Sequence, residues 1–171
     1  TEFGAVAQLA DEWEKRGTKV MGISVDGVEE HKKWKGDIET FGGAKAGFPI
    51  IADDDLKVAK AFDMLPAEAY LPDGRTPNDS ATVRAVFIIG PDKKLKLSMT
   101  YPMTVGRNFA EVLRALDGLQ MSSGKGVATP ANWNVGDDVI IPATLSDDDA
   151  KAKFGDFNKI LPYLRTTKAP N

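Results

Sequence analysis

Apolar residues near the start of the chain recur at steps of three and four. Phe3, Val6, Ala7, Leu9, Ala10 and Trp13 share one face, while Gln8, Asp11, Glu12 and Lys15 fill the other, so the spacing predicts one amphipathic helix. Arg16 and Gly17 end it, a cation in the last turn followed by a residue free to turn left-handed. Lys19-Val20-Met21-Gly22-Ile23-Ser24-Val25 reads as a short buried strand. The segment 28–41 predicts a second helix with Val28, His31, Trp34, Ile38 and Phe41 on its buried stripe, stopped by Gly42-Gly43. Phe48-Pro49-Ile50-Ile51-Ala52 is a second strand. Asp53-Asp54-Asp55 then supplies a cap and an acidic first turn for a helix through Leu56, Val58, Ala59 and Phe62. Repeated handovers between strand and helix predict an α/β layered domain with parallel strands.

The segment 65–80 is rich in Pro, Gly, Asp and Asn and reads as loop. The runs 82–89 and 95–101, joined by Gly90-Pro91-Asp92-Lys93-Lys94, predict an antiparallel hairpin. A helix over 107–120 follows, with Phe109, Val112, Leu113, Leu116 and Leu119 on its stripe, and Ser122-Ser123-Gly124-Lys125-Gly126 reads as a linker. The tail beyond it carries Trp133, a short strand over 138–141 and an acid-capped helix starting near Ser146. It is expected to be too small for a core of its own.

Composition narrows the chemistry. With 171 residues, 22 basic and 25 acidic side chains and a net charge of −3, the chain lacks the basic excess that drives binding to nucleic acid or to anionic membrane. No apolar run approaches the roughly 20 residues of a membrane span, and no targeting pattern stands at the start, which makes the cytoplasm the default expectation. There is no cysteine, so disulfides, thiolate metal sites and a cysteine nucleophile are excluded from these residues.

Several constellations invite a functional reading and fail it. His31 is the single histidine and sits near Trp34 with no ligands in register, so it reads as a helix histidine rather than a metal or triad member. Asp53-Asp54-Asp55 lacks the glycine and closing glutamate of a calcium loop. Gly42-Gly43 and Gly90-Pro91 are not followed by the Lys-Ser/Thr pair of a phosphate cradle. Asp147-Asp148-Asp149 reads as a helix start. No cofactor or metal is expected.

Two arginines break local rules. Arg84 interrupts the apolar strand Thr82-Val83-Arg84-Ala85-Val86-Phe87-Ile88-Ile89, on the face shared with Val86 and Ile88, where an unpaired guanidinium costs several kcal/mol. Arg107 starts a helix, where a cation opposes the macrodipole. Structural salt bridges would explain each alone. The pair in one small domain points to a site that stabilises negative charge.

Thr1-Glu2-Phe3-Gly4, Ile23-Ser24-Val25-Asp26, Phe48-Pro49-Ile50-Ile51-Ala52-Asp53, the run from Arg84 through Gly90-Pro91-Asp92-Lys93-Lys94 to Leu97, Tyr101-Pro102 with Gly106-Arg107-Asn108-Phe109, and Ala128-Thr129-Pro130-Ala131-Asn132-Trp133 stand in collinear order. Together they resemble a one-cysteine peroxiredoxin, close to the peroxiredoxin 6 subfamily. Thr129 stands where two-cysteine relatives carry a resolving cysteine.

The resemblance implies a thioredoxin-like α/β fold with a C-terminal peroxiredoxin extension: a core over 1–121 and an extension over 127–171 that packs in a dimer. It implies a thiol-dependent peroxidase, an antioxidant oxidoreductase that reduces hydrogen peroxide and organic or lipid hydroperoxides at the expense of an external thiol. In the family an arginine lowers the thiolate pKa and holds the peroxide oxygens; by the motif this is Arg84. Arg107 is the supporting arginine, and Glu2 is the acidic residue that orients both.

The peroxidatic cysteine would stand two residues ahead of Thr1. The N-terminal hairpin and the first core strand, which lies between the strands at 20–25 and 84–89, would be absent with it. The expectation is a chain cut or read from just after its cysteine, inactive alone, with two inner strand edges left open. The alternative is a non-catalytic remnant serving as an interaction or chaperone-like module. A phospholipase-type side activity would need a Ser and a His not present here, and Asp92, the acidic member of that set, is assigned no role. The expected partners are peroxide, a thiol reductant and a second copy of the chain, with no nucleic acid and no stable membrane insertion.

Overall fold

A computed structural model describes residues 1–65 and 81–170, so the predicted loop over 65–80 lies almost wholly outside the described residues. The chain divides into two compact units, Thr1–Phe109 and Ala110–Asn171.

In the first unit the opening stripe folds as two short helices, α1 (Glu2–Gln8) and α2 (Ala10–Lys15), separated at Leu9. Val6, Ala7 and Trp13 are buried as the periodicity requires, and the Trp13 Nε1–H donates to the Val6 carbonyl at 3.0 Å. Gly17 takes the left-handed conformation, φ 60°, that ends the segment. Strand β1 (Gly22–Ser24) pairs in parallel with β2 (Ile50–Ala52) across the helix α3 (Val28–Gly42), the predicted crossover. Gly43 closes α3 in the left-handed region. Helix α4 (Lys57–Ala61) begins after Leu56, so the expected acidic first turn is absent, the three aspartates lying ahead of the helix. The buried Asp53 carboxylate still serves its start, accepting from the backbone N–H groups of Val58 at 2.9 Å and Ala59 at 2.7 Å.

The expected buried stripe of α3 is not buried. Of its members only His31 is, whereas Val28 is 58% and Phe41 89% exposed. Helix α1 meets α3 through glycine backbones: a Cβ on Gly42 would lie 3.0 Å from the Gly4 Cα. Gly42 and Phe41 are about 100° apart around the helix, so seating Gly42 turns Phe41 outward.

Strands β3 (Arg84–Ile89) and β4 (Leu95–Tyr101) form the expected antiparallel hairpin, in register from Arg84↔Tyr101 to Ile88↔Leu97, with an irregularity before Ile89. Among the described residues β1 and β3 do not pair with each other: β1–β2 and β3–β4 are separate two-stranded sheets. They share a core. Leu56, Ala59, Met64 and Leu65 are buried against Ile23 and Val25 on one side and Val83, Ala85 and Phe87 on the other.

The second unit holds most of α5 (Phe109–Lys125), then β5 (Val139–Ile141), α6 (Asp147–Phe154), β6 (Asn158–Leu161) and β7 (Leu164–Thr167), with the sheet ordered β5-β7-β6. Two expectations are corrected here. The predicted linker over 122–126 is mostly helix, because the hydroxyls of Ser122 and Ser123 donate back to the Leu119 carbonyl at 3.1 and 2.7 Å and leave the backbone helical. The tail does possess a core: Val127, Trp133 and Val139 are buried together, with Met121 of α5, Phe154 and Ala169 packed on them. Ser146 caps α6, its hydroxyl accepting from the Asp149 N–H at 3.0 Å. The β6–β7 hairpin has no counterpart in the sequence reading.

Candidate functional site

Alternation along β3 turns Ala85 and Phe87 into the shared core and therefore sends Arg84 to the other face. Strand β4 returns the chain to Tyr101, opposite Arg84. A turn closed by the Val105 N–H on the Pro102 carbonyl at 2.9 Å then leads to Arg107. That residue lies two positions before α5 rather than at its start, still facing the positive end of the helix; the third element is Glu2, the first residue of α1.

These three side chains meet. Glu2 Oε2 accepts from Arg84 Nη1 at 2.6 Å and from Arg107 Nη2 at 2.9 Å. Glu2 Oε1 accepts from Arg107 Nε at 3.0 Å and from the Arg107 backbone N–H at 2.8 Å. Arg107 Nη1 donates to the Ala85 carbonyl at 2.8 Å, and its guanidinium lies 5.6 Å from the centre of the Phe109 ring. Arg84 Nε donates to the Met103 carbonyl at 2.6 Å. All of Arg107's nitrogens are thus engaged. Among the described residues Arg84 Nη2 has no partner, and Arg84 is the open member of the set, its side chain 40% exposed against 18% for Arg107 and 14% for Glu2.

The electrostatics follow from that count. Burial by itself would push the Glu2 carboxyl up. Hydrogen bonds from the side chain and backbone of Arg107, with the charges of Arg107 and then Arg84, outweigh it and hold the group at about 2. Among the described residues two guanidinium groups share one carboxylate, so one positive charge has no acidic partner there, and Arg84 is the member open to solvent. A group of this kind stabilises an anion or a developing oxyanion.

The other sequence candidates are engaged with partners of their own. His31 is buried, its Nε2 2.7 Å from Ser24 Oγ, and Ser24 in turn donates to Asp26 Oδ2 at 3.0 Å. Periodicity gave no sign of that hydroxyl partner. The Asp53 carboxylate caps α4, Asp147 pairs with Lys159 and Arg165 at 2.6 and 2.8 Å, and Asp92 pairs with Lys96 at 2.7 Å. Among the described residues no group of three or more His, Asp or Glu side chains could hold a metal ion, and no helix is long and apolar enough to cross a membrane.

Comparison with known proteins gives these residues a context. Residues 1–98 match the AhpC/TSA family, and residues 118–156 match the C-terminal domain of 1-Cys peroxiredoxin. The chain is 51% identical to the mitochondrial peroxiredoxin of Saccharomyces cerevisiae over 99% of its length, spanning 64% of that protein. It is 46% identical to peroxiredoxin-6 of Gallus gallus, covering 99% of this chain and 79% of the relative. Among solved structures, a yeast mitochondrial 1-Cys peroxiredoxin superposes with a TM-score of 0.89 at 50% identity, over 98% of this chain and 78% of that one. A mutant of the peroxiredoxin 6 of Arenicola marina gives the same score at 44% identity, over 99% and 79%.

Proposed function

Because the chain belongs to the AhpC/TSA family and carries the C-terminal domain of the 1-Cys peroxiredoxins, we propose that its 171 residues are the larger part of a thiol-dependent peroxidase. Its fold is the thioredoxin-like α/β fold of that family. No cysteine is present, so the reacting sulfur comes from polypeptide outside these residues. That thiolate attacks the O–O bond of a peroxide. One oxygen passes to sulfur as a sulfenic acid and the other leaves as hydroxide or alkoxide and takes up a proton. One external thiol then condenses with the sulfenic acid to a mixed disulfide with release of water, and a second thiol attacks that disulfide, restoring the first sulfur as thiolate and leaving the two external thiols joined as a disulfide. The yeast relative of known structure is described with glutathione and thioredoxin systems, and either supplies a reductant of the right class here. Arg84 Nη2 holds the thiolate and the departing oxygen, Arg107 supports Arg84, and Glu2 orients the two.

The observation that carries this reading is the shared carboxylate, which aligns both guanidinium groups and leaves the Arg84 Nη2 amino group without a partner among the described residues. The test is peroxide turnover by a cysteine-bearing form of the protein, with and without Arg84→Gln. Loss of one donor to a developing oxyanion costs about 100-fold in kcat/KM or more. A variant within about two-fold of the parent would overturn the role of Arg84. The 171 residues alone are expected to show no turnover, and stoichiometric peroxide consumption by them would overturn the assignment of an external sulfur.

The extension over 127–171 is proposed to pack in a homodimer, where a hairpin exposing Ile160, Leu161 and Tyr163 suits a partner surface; sedimentation checks it. The cytoplasm is the proposed setting, with the mitochondrial yeast relative marking the other compartment for fractionation to decide. A non-catalytic interaction module remains the second reading, favoured by the lack of cysteine.

A further inference from the structure

The loop over 102–106, between β4 and Arg107, is tied into the site at both ends. Its Met103 carbonyl accepts from Arg84 Nε at 2.6 Å, its turn is closed by Val105 N–H on the Pro102 carbonyl, and Arg107 follows two residues after Val105. Yet Met103 and Val105 on it are only about half covered, 48% and 46% exposed. Scattered apolar residues on a surface need no explanation. Here the loop, Pro102-Met103-Thr104-Val105-Gly106, carries no charge of its own and is bonded through the Met103 carbonyl to a guanidinium whose side chain is 40% exposed and whose Nη2 has no partner among the described residues.

We propose that Met103 and Val105 are specificity-determining residues, an apolar rim against which the carbon skeleton of an organic hydroperoxide rests while its peroxide oxygens sit at Arg84 Nη2. The inference rests on the peroxidase reading and deepens it. Hydrogen peroxide has no skeleton to bury and gains nothing from the rim. An alkyl or aryl hydroperoxide removes apolar surface from water on both partners, and the 40% exposure of the Arg84 side chain leaves its tail room outside the anion site. Met103 suits varied skeletons because its unbranched thioether adapts in shape. Its contribution to Arg84 is made by the backbone, so changing the side chain leaves that hydrogen bond in place.

The experiment uses a cysteine-bearing form of the protein and compares kcat/KM for cumene hydroperoxide with kcat/KM for hydrogen peroxide. Met103→Gln and Val105→Thr, which keep volume and remove apolar surface, are expected together to lower the ratio about ten-fold, the scale of one lost aliphatic contact. Met103→Leu, still apolar, retains the ratio. A double variant whose ratio stays within about two-fold of the parent overturns the rim while leaving the peroxidase reading standing. If the parent turns over neither peroxide, both fall. Should circular dichroism show the double variant unfolded, the two single variants decide, each expected to lower the ratio about three-fold.

Discussion

Glu2→Gln isolates the charge that joins the two arginines. The amide is nearly the same size, but it keeps one acceptor oxygen and turns the other position into an N–H donor facing a guanidinium. Of the four hydrogen bonds received by the carboxylate, those at one oxygen are lost and the rest lose their charge assistance. The carboxyl is held at about 2 against an ordinary 4.5, which at about 1.4 kcal/mol per tenfold change in proton affinity corresponds to about 3 kcal/mol favouring the charged form. Arg84 is partly open to water and its share is screened, so the expected loss at neutral pH is about 2 kcal/mol. Because the folded-state pKa is the lowered one, this stability is fully present above about 4.5 and disappears as pH falls toward about 2. Urea denaturation of parent and variant should therefore give midpoints that are separated at pH 7 and converge on acidification. Urea is the right denaturant because it does not screen the pair. A separation below about 0.5 kcal/mol at neutral pH, or one that persists unchanged to about pH 2, would refute the argument that charge binds the three side chains together.

Other expectations test the packing around the site and in the second unit. Gly42→Ala gains helix propensity, yet its Cβ would press on the Gly4 Cα at 3.0 Å, backbone against backbone; a net destabilisation of about 1–2 kcal/mol is expected in thermal unfolding, and a stabilised protein would show that α1 can shift. Trp133→Ala empties a site that is 1% exposed and removes the Nε1–H bond to the Asp137 carbonyl; a loss of about 3–5 kcal/mol is expected, read as faster hydrogen exchange at the Ile140 amide, which donates to the Ala128 carbonyl at 2.7 Å.

Where a face repeats locally, the sequence alone was enough. The two-residue period of β3 and β4 and the polar turn between them specified the hairpin, and the same period set Arg84 opposite Ala85 and Phe87. Asp53, Gly43 and Ser146 marked helix ends because caps act within a few residues. Arg84 was conspicuous as a charge in an apolar strand. Arg107 stood out as a cation at a helix N-terminus, although α5 begins two residues later, at Phe109. The link from Glu2 to both came only from family resemblance, as a carboxylate 82 and 105 residues away from its partners leaves no periodic trace. Strand β7 escaped notice for a related reason: Arg165 and Thr167 are its buried residues, an inversion of the usual polarity that works because Arg165 finds Asp147 and the Pro142 and Leu145 carbonyls at 2.8 Å. Periodicity records which side of an element is apolar. Which polar groups become tolerable inside, and which apolar ones, such as Phe41, are left outside, depended on partners that only the folded chain brings within hydrogen-bonding or packing distance.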